Sequence, residues 1–286
     1  MEQPDVYGGI MRHPLHQPLP NFEEPGDSRP LKRRALVLIT LCLLAMPALL
    51  AAQTDEIQVY DGELAKPGEF TLTLHTNYIV SGDTAPAFPG AVTANHSLNG
   101  VPEFAYGVTD WFEAGLYLPV WSLDAHQGFG LDGFKLRALF AVPHADQRTF
   151  AYGVNFEFSV NAPRWDPSKY SSEIRMIFAW HLKPVDIIVN PIFDTSYDGF
   201  QNLDFAPCAR IDYNVGAAWS FALEEYSDYG QIHDIPPWND QFHELFAVVD
   251  HHGKTWDAEF GIGVGLTSAS DQLTLKLILA RSLNRN

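Results

Sequence analysis

Apolar and polar residues alternate along most of this chain with a period of two. Between positions 256 and 266 the residues Trp256, Ala258, Phe260, Ile262, Val264 and Leu266 alternate without a miss with Asp257, Glu259, Gly261, Gly263 and Gly265. Between 273 and 279 four leucines alternate with Thr274, Lys276 and Ile278. Successive side chains of a strand point to opposite faces, so each run predicts a strand with one apolar face and one face of charges and glycines. A soluble sandwich alternates too, but its strands usually run about five or six residues. These runs approach the roughly nine to eleven residues that a tilted strand needs to cross a bilayer. The pattern predicts a closed antiparallel transmembrane β-barrel with its apolar side facing lipid.

The same alternation recurs over 70–78, 102–108, 112–120, 134–142, 150–160, 174–182, 185–193, 205–213 and 217–223. A further strand is expected over 242–249, where Leu245, Phe246, Ala247, Val248 and Val249 run together and hide its facing. With the two opening runs this makes twelve strands. Odd strands are followed by long connections such as 80–99, 122–130 and 225–241, and even strands by short turns; the short connection 267–271 is the exception. Outer-membrane barrels have an even strand number, long external loops and short periplasmic turns, so both ends of the barrel domain are expected in the periplasm. Phe150, Trp180, Tyr213 and Trp256 fall on the outward parity at periplasmic strand ends, as an interfacial belt requires. Trp111 and Trp121 fall on the inward parity.

The first part of the chain fits export. Lys32, Arg33 and Arg34 precede the apolar run 35–50, and Ala51, Ala52 and Gln53 follow it. This order of basic, apolar and small residues is that of a cleaved signal peptide, and Pro47 breaks a run already shorter than a spanning helix needs. The expected division is a non-native or disordered extension over 1–30, a signal over 31–52, a periplasmic lead-in over 53–69 and the barrel over 70–283. The lead-in carries a small alternation of its own at Ile57, Val59 and Tyr60, which also suits an added strand.

Composition narrows the function. The chain holds 35 acids against 18 bases, a net charge of −17. Phosphates would be repelled by such a chain, so no nucleic-acid partner is expected. Cys42 lies in the signal, which leaves Cys208 alone and excludes an intramolecular disulfide in the exported part.

Three stretches, EIQVYDGELAKPGEF at 56–70, VPEFAYGVTDWFEAGLYLP at 101–119 and FGIGVGLTSASDQLTLKLIL at 260–279, resemble uncharacterised proteobacterial outer-membrane β-barrel proteins. Those are loosely related to the transporters of the phenol meta-degradation pathway. The resemblance spans the exported chain and implies a barrel and transport without naming a solute. Outer-membrane proteins commonly end on Phe, whereas this sequence runs on past Leu283 to Asn284, Arg285 and Asn286.

Several constellations have ordinary readings. Gly261, Gly263 and Gly265 do not match a dinucleotide loop, because Leu266 stands where its third glycine belongs and no helix follows; small side chains on the lumen face are expected instead. His251 and His252 with Asp250 could ligate a metal, but adjacent histidines in a turn are ordinarily solvated, and no metal or cofactor is predicted. Ser159 and Ser220 share the inward face with His75 and His181, yet nothing in the sequence pairs them, so no enzyme is predicted.

The inward charges carry the functional reading. The assigned parity places Glu103, Glu113, Glu157, Glu173, Asp186, Asp194, Asp212, Glu224, Asp257 and Glu259 inside, against Lys135, Arg137, Arg175, Arg210 and Lys276. Charges are costly against lipid and ordinary in a wet lumen. Glu157 lies between strands carrying Lys135, Arg137 and Arg175, which predicts a cross-strand ion ladder, and Asp257 and Glu259 are expected to face only Lys276. The expected lumen lining is Glu113, Lys135, Arg137, Glu157, Glu173, Arg175, Arg210, Asp212, Asp257, Glu259 and Lys276. The expected function is passive or facilitated passage of a small solute through the outer membrane. The alternative is a non-transporting barrel that acts structurally or presents its loops. The partners expected are outer-membrane lipid and lipopolysaccharide, the assembly machinery and the solute.

Overall fold

A computed structural model describes residues 55–284. The expected extension 1–30 and signal 31–52 lie outside the described residues. Twelve antiparallel strands close on themselves: β1 (Phe70–Ser81), β2 (Leu98–Gly107), β3 (Phe112–Asp124), β4 (Gly128–Ala141), β5 (Phe150–Asn161) and β6 (Tyr170–His181). The remainder are β7 (Val185–Asn190 and Ile192–Thr195), β8 (Asp204–Phe205 and Cys208–Val215), β9 (Trp219–Asp228), β10 (Phe242–His252), β11 (Asp257–Gly265) and β12 (Leu273–Ser282). Each strand pairs with its neighbour in sequence, and β1 with β12 completes the ring, with Leu74 opposite Leu279. Closure leaves no strand edge unpaired, which a bilayer core demands because it offers no water to satisfy backbone groups. Among the described residues no helix is long and apolar enough to cross a membrane.

β7 and β8 are each interrupted by a proline, Pro191 and Pro207, which brings no N–H to the ladder. Their carbonyls still accept from the neighbouring strands, from the N–H of Met176 at 2.9 Å and of Ser227 at 3.0 Å, so the barrel wall is continuous there.

The alternation sets the facing almost everywhere. Leu136, Phe156, Leu223, Ile262 and Val264 lie on the outer surface, while Lys135, Arg137, Glu157, Glu224 and Lys276 point in. On β10 the facing hidden in the sequence becomes plain: Glu244, Phe246, Val248 and Asp250 are buried inside.

Two expectations about β3 and β4 are corrected. The expected loop 122–130 is mostly ladder, since the two strands stay paired as far as Asp124 opposite Gly128. Between the pairs Gly100–Trp121 and Glu103–Tyr117, β2 spends two residues and β3 three. One inserted residue moves everything beyond it to the other face. Val120, expected outside, is therefore buried inside, and Trp121, expected inside, lies outward over Gly100 and beside Phe129. Trp111 also leaves its inward parity: it sits in the turn before β3, half exposed and stacked on Phe140 at 6.1 Å between ring centroids. Both tryptophans thus join the outer surface.

At the end of the barrel that carries the long connections, residues 91–94 of the loop 82–97 are buried, while residues 83–87 stay exposed. Val92 N–H donates to the Arg164 carbonyl at 2.9 Å, and Thr93 N–H to the Asp124 carboxylate at 3.2 Å. At the opposite end Asn284 ties the finish of β12 to the start of β1, accepting from Phe70 N–H at 3.0 Å and donating to the Gly68 carbonyl at 2.8 Å.

Candidate functional site

The lumen is filled by the chain's own residues 55–65. This stretch was expected as a periplasmic lead-in and is instead seated inside the barrel, with Asp55, Glu56, Ile57, Val59 and Tyr60 all buried. The physical reason is its mixed character: alternating acidic and apolar side chains match a wall that offers bases in some places and apolar patches in others. The small alternation at 57–60 was the only signal of this in the sequence.

The stretch enters at the short-turn end of the barrel. Gly68 N–H donates to the Gly107 carbonyl at 2.8 Å, and Gly107 N–H to the Glu69 carbonyl at 3.0 Å. Further in, Ala65 N–H donates to the Glu113 carboxylate at 2.5 Å. At the level of Tyr60 the Asn190 side chain makes a two-way contact, accepting from Tyr60 N–H at 2.7 Å and donating to its carbonyl at 2.8 Å. The hydroxyls of Tyr60 and Tyr117 meet at 2.6 Å, and the guanidinium of Arg175 lies over the Tyr60 ring, 4.4 Å from its centroid. Arg175 also donates to the Gln58 carbonyl at 2.8 Å, Lys276 to the Ile57 carbonyl at 3.2 Å and Asn77 to the Asp55 carbonyl at 3.2 Å. Asp55 closes the series as an ion pair with Lys135 at 2.7 Å.

Apolar contacts accompany these bonds. Ile57 packs with Ala222, Phe246 and Val248; Val59 with Ala151, Ala179 and Ile188; and Tyr60 with Leu139 and Ile177. Inward-facing apolar residues are thus sockets for the segment, a role the parity reading alone did not reveal.

The charged lining divides into groups. On one side Arg137 bridges Glu103, at 2.7 Å, and Glu113, while His75 meets Glu103 at 3.1 Å. Lys135 lies between Asp55 and Glu157, the latter at 3.6 Å, and Glu157 accepts from Asn155 at 2.9 Å. Arg175 pairs with Glu173 on its own strand at 2.8 Å. The expected ladder on Glu157 is therefore only one rung long. Of the three bases beside it, Arg137 and Arg175 are drawn to other carboxylates, and the rung that remains is shared with the segment.

On the other side Arg210 gathers Glu224 at 2.5 Å, Glu259 at 3.0 Å, Asp212 at 3.1 Å and Asp250. Lys276, almost fully buried, is held by Glu224 and by Glu259 at 2.5 Å. Two expectations fail at this cluster. Glu259 serves Arg210 as well as Lys276, and Asp257 does not reach Lys276, lying at the rim with its carboxylate accepting from Gly253 N–H at 3.1 Å. The sequence reading also left out Asp250, which Arg210 and Ser220 hold, because the facing of β10 could not be assigned. That engagement separates Asp250 from His251, whose ring lies tilted against Trp219 with centroids 4.3 Å apart.

The glycine run of β11 has a packing explanation. A Cβ on Gly261 would fall 2.8 Å from the Lys276 side chain, and one on Gly263 would fall 2.4 Å from the Phe246 ring. A Cβ on Gly115 would likewise meet the Arg137 guanidinium at 2.7 Å. Small residues on the lumen face make room for the long side chains that hold charges and segment together.

No protein family and no curated protein matches the sequence. Solved structures do match in fold. An outer-membrane channel from Pseudomonas putida F1 superposes with a TM-score of 0.54 at 14% identity, over 80% of this chain and 100% of that one. The KdgM porin in complex with disordered oligogalacturonate superposes with a TM-score of 0.50 at 9% identity, over 75% of this chain and 99% of that one. With a ring of twelve antiparallel strands and these neighbours, the chain has the closed-barrel fold of outer-membrane channels.

Proposed function

We propose that the protein is an outer-membrane channel for passive or facilitated passage of a small solute, seen here with its path occupied by residues 55–65. The observation that carries this reading is the contrast between the two faces of the wall. The outside is a continuous apolar surface suited to lipid, while the inside presents charges that a merely structural barrel could replace with apolar packing at no loss of stability. The residues that would line the path once the segment withdraws are Glu113, Lys135, Arg137, Glu157, Glu173, Arg175, Arg210, Asp212, Glu259 and Lys276, with Asp257 at its rim.

The finer placement follows from the resemblance of 56–70, 101–119 and 260–279 to the relatives of the phenol meta-degradation pathway transporters. It supports transport without enzymatic activity. A signal over 31–52, contact with outer-membrane lipid and lipopolysaccharide, and insertion by the assembly machinery belong to the same proposal.

A second reading, a non-transporting barrel, is favoured by one observation: Glu224, Lys276 and Tyr117 are sealed from solvent, so the lumen as it stands is packed. Planar-bilayer recordings separate the two. Purified protein lacking residues 55–65 should give discrete conductance steps, and a barrel that folds yet never conducts with the segment removed would establish the non-transporting reading.

A further inference from the structure

Building on the channel reading, we propose that the lumen wall is a peptide-binding site that reads an extended main chain. It takes short peptides with an acidic residue ahead of alternating apolar ones, and residues 55–60 occupy it in cis. A segment that only fills space would be held by side-chain packing. Here side chains from two adjacent strand pairs on opposite parts of the ring, β1 with β12 and β6 with β7, also reach main-chain atoms: Asn77 on β1 the Asp55 carbonyl, Lys276 on β12 the Ile57 carbonyl, Arg175 on β6 the Gln58 carbonyl. Asn190 on β7 takes both main-chain groups of Tyr60, as a neighbouring strand would. Such contacts do not depend on the identity of the residue bound. Main-chain hydrogen bonds with sockets for alternate side chains are a general mode of recognising an extended peptide. The sockets are present: Ile57 against Phe246 and Val248, and Val59, two residues on, against Ile188. Lys135 adds a preference for a carboxylate at the leading position.

Residues 61–69 join the segment to β1, and a short tether gives an effective concentration in the millimolar range. A free peptide at comparable concentration therefore competes for the same contacts, so the segment is both occupant and competitor.

The test uses the barrel lacking residues 55–65, purified in detergent and checked for folding by its heat-shifted migration on a denaturing gel. The probe is the fluorescein-labelled hexapeptide Asp-Glu-Ile-Gln-Val-Tyr, followed by anisotropy. Saturable binding is expected, with about tenfold weaker affinity when the tyrosine amide is N-methylated or when the barrel carries Asn190→Ala, since each removes main-chain hydrogen bonds. A hexapeptide of different sequence with an acid first and apolar residues third and fifth is expected to bind as well, and free aspartate is not. If the deleted barrel does not fold, the full-length Gly107→Val variant, shown by proteolysis within 55–65 to have released the segment, replaces it and should bind the hexapeptide where the parent does not. Absence of saturable binding, indifference to N-methylation, or binding restricted to the segment's own sequence would overturn the proposal. Conductance is recorded separately: a barrel that binds peptide without conducting refutes the channel reading alone, and one that conducts without binding refutes the peptide site alone.

Discussion

Gly107 and Ala65 touch where the N-terminal segment passes into the barrel: a Cβ built on Gly107 would lie 2.3 Å from the Ala65 carbonyl oxygen and equally close to that of Lys66. The obstacle is backbone on both counts, so neither side can yield by turning a side chain. Gly107→Val should therefore dislodge the segment while β2, already at its end there, keeps its pairing. Higher single-channel conductance and faster proteolysis within 55–65 are the expected readouts. Unchanged conductance together with an unchanged cleavage pattern would show that the segment does not control the path.

The segment's hold should weaken with rising pH. The charge of Asp61 beside Glu63, with those of Asp146 and Asp257, pushes the Glu63 carboxyl up to about 7, with Lys66 opposing. An acid whose pKa is raised in the seated state loses stability as pH climbs from its ordinary value of 4.5, and the loss is complete above about 7. Open probability should thus rise between pH 5 and pH 8, and Glu63→Gln should flatten that rise. A pH response of equal size in the Gln variant would assign the effect elsewhere.

Lys276 is the charge whose removal should cost the barrel most. It is held by Glu224 and Glu259 with almost no exposure, so Lys276→Met leaves the buried Glu224 and the partly buried Glu259 with Arg210 as their remaining base, one already shared with Asp212 and Asp250. Breaking a buried pair from one side costs about 3–5 kcal/mol. The temperature at which the folded band converts on a semi-native gel should fall, and adding Glu224→Gln should recover part of the loss.

With residues 55–65 deleted, the conducting barrel should prefer cations. The inward acids outnumber the bases, and deletion removes Asp55, Glu56, Asp61 and Glu63 without changing the sign of what remains. A low-dielectric wall focuses that field, most strongly at low salt. Reversal potentials in a salt gradient measure it directly, and anion preference would exclude this account of the lumen.

Orientation can be read with single cysteines in a Cys208→Ser background. Asp234 lies exposed in the loop between β9 and β10, and Asp146 in the turn between β4 and β5. A membrane-impermeant thiol reagent on intact cells should label Asp234→Cys and spare Asp146→Cys. Ala94, in the long loop after β1, is a poor reporter because its part of that loop is buried.

The wall of this barrel was legible in the sequence because its determinant is local. Period-two alternation fixes which face meets lipid, and the requirement for closure then leaves little freedom, so twelve strands, their order and most inward residues follow without coordinates. The local rule fails where two strands spend different numbers of residues between paired positions. Opposite Pro102 that mismatch turned Val120 in and Trp121 out, and no alternation in either strand alone announces it. The lumen was decided by the tertiary structure for a different reason. An inward charge chooses its partner by distance across the ring, so Arg137 and Arg175 abandoned the neighbouring Glu157, and Asp250 joined Arg210 from a strand whose facing was hidden. Residues 55–65 make the same point most strongly. Their sequence specifies an acidic, weakly alternating tether, and only the closed wall, with Asn190, Arg175 and Lys276 converging on one axis, gives that tether's main chain a place to bind.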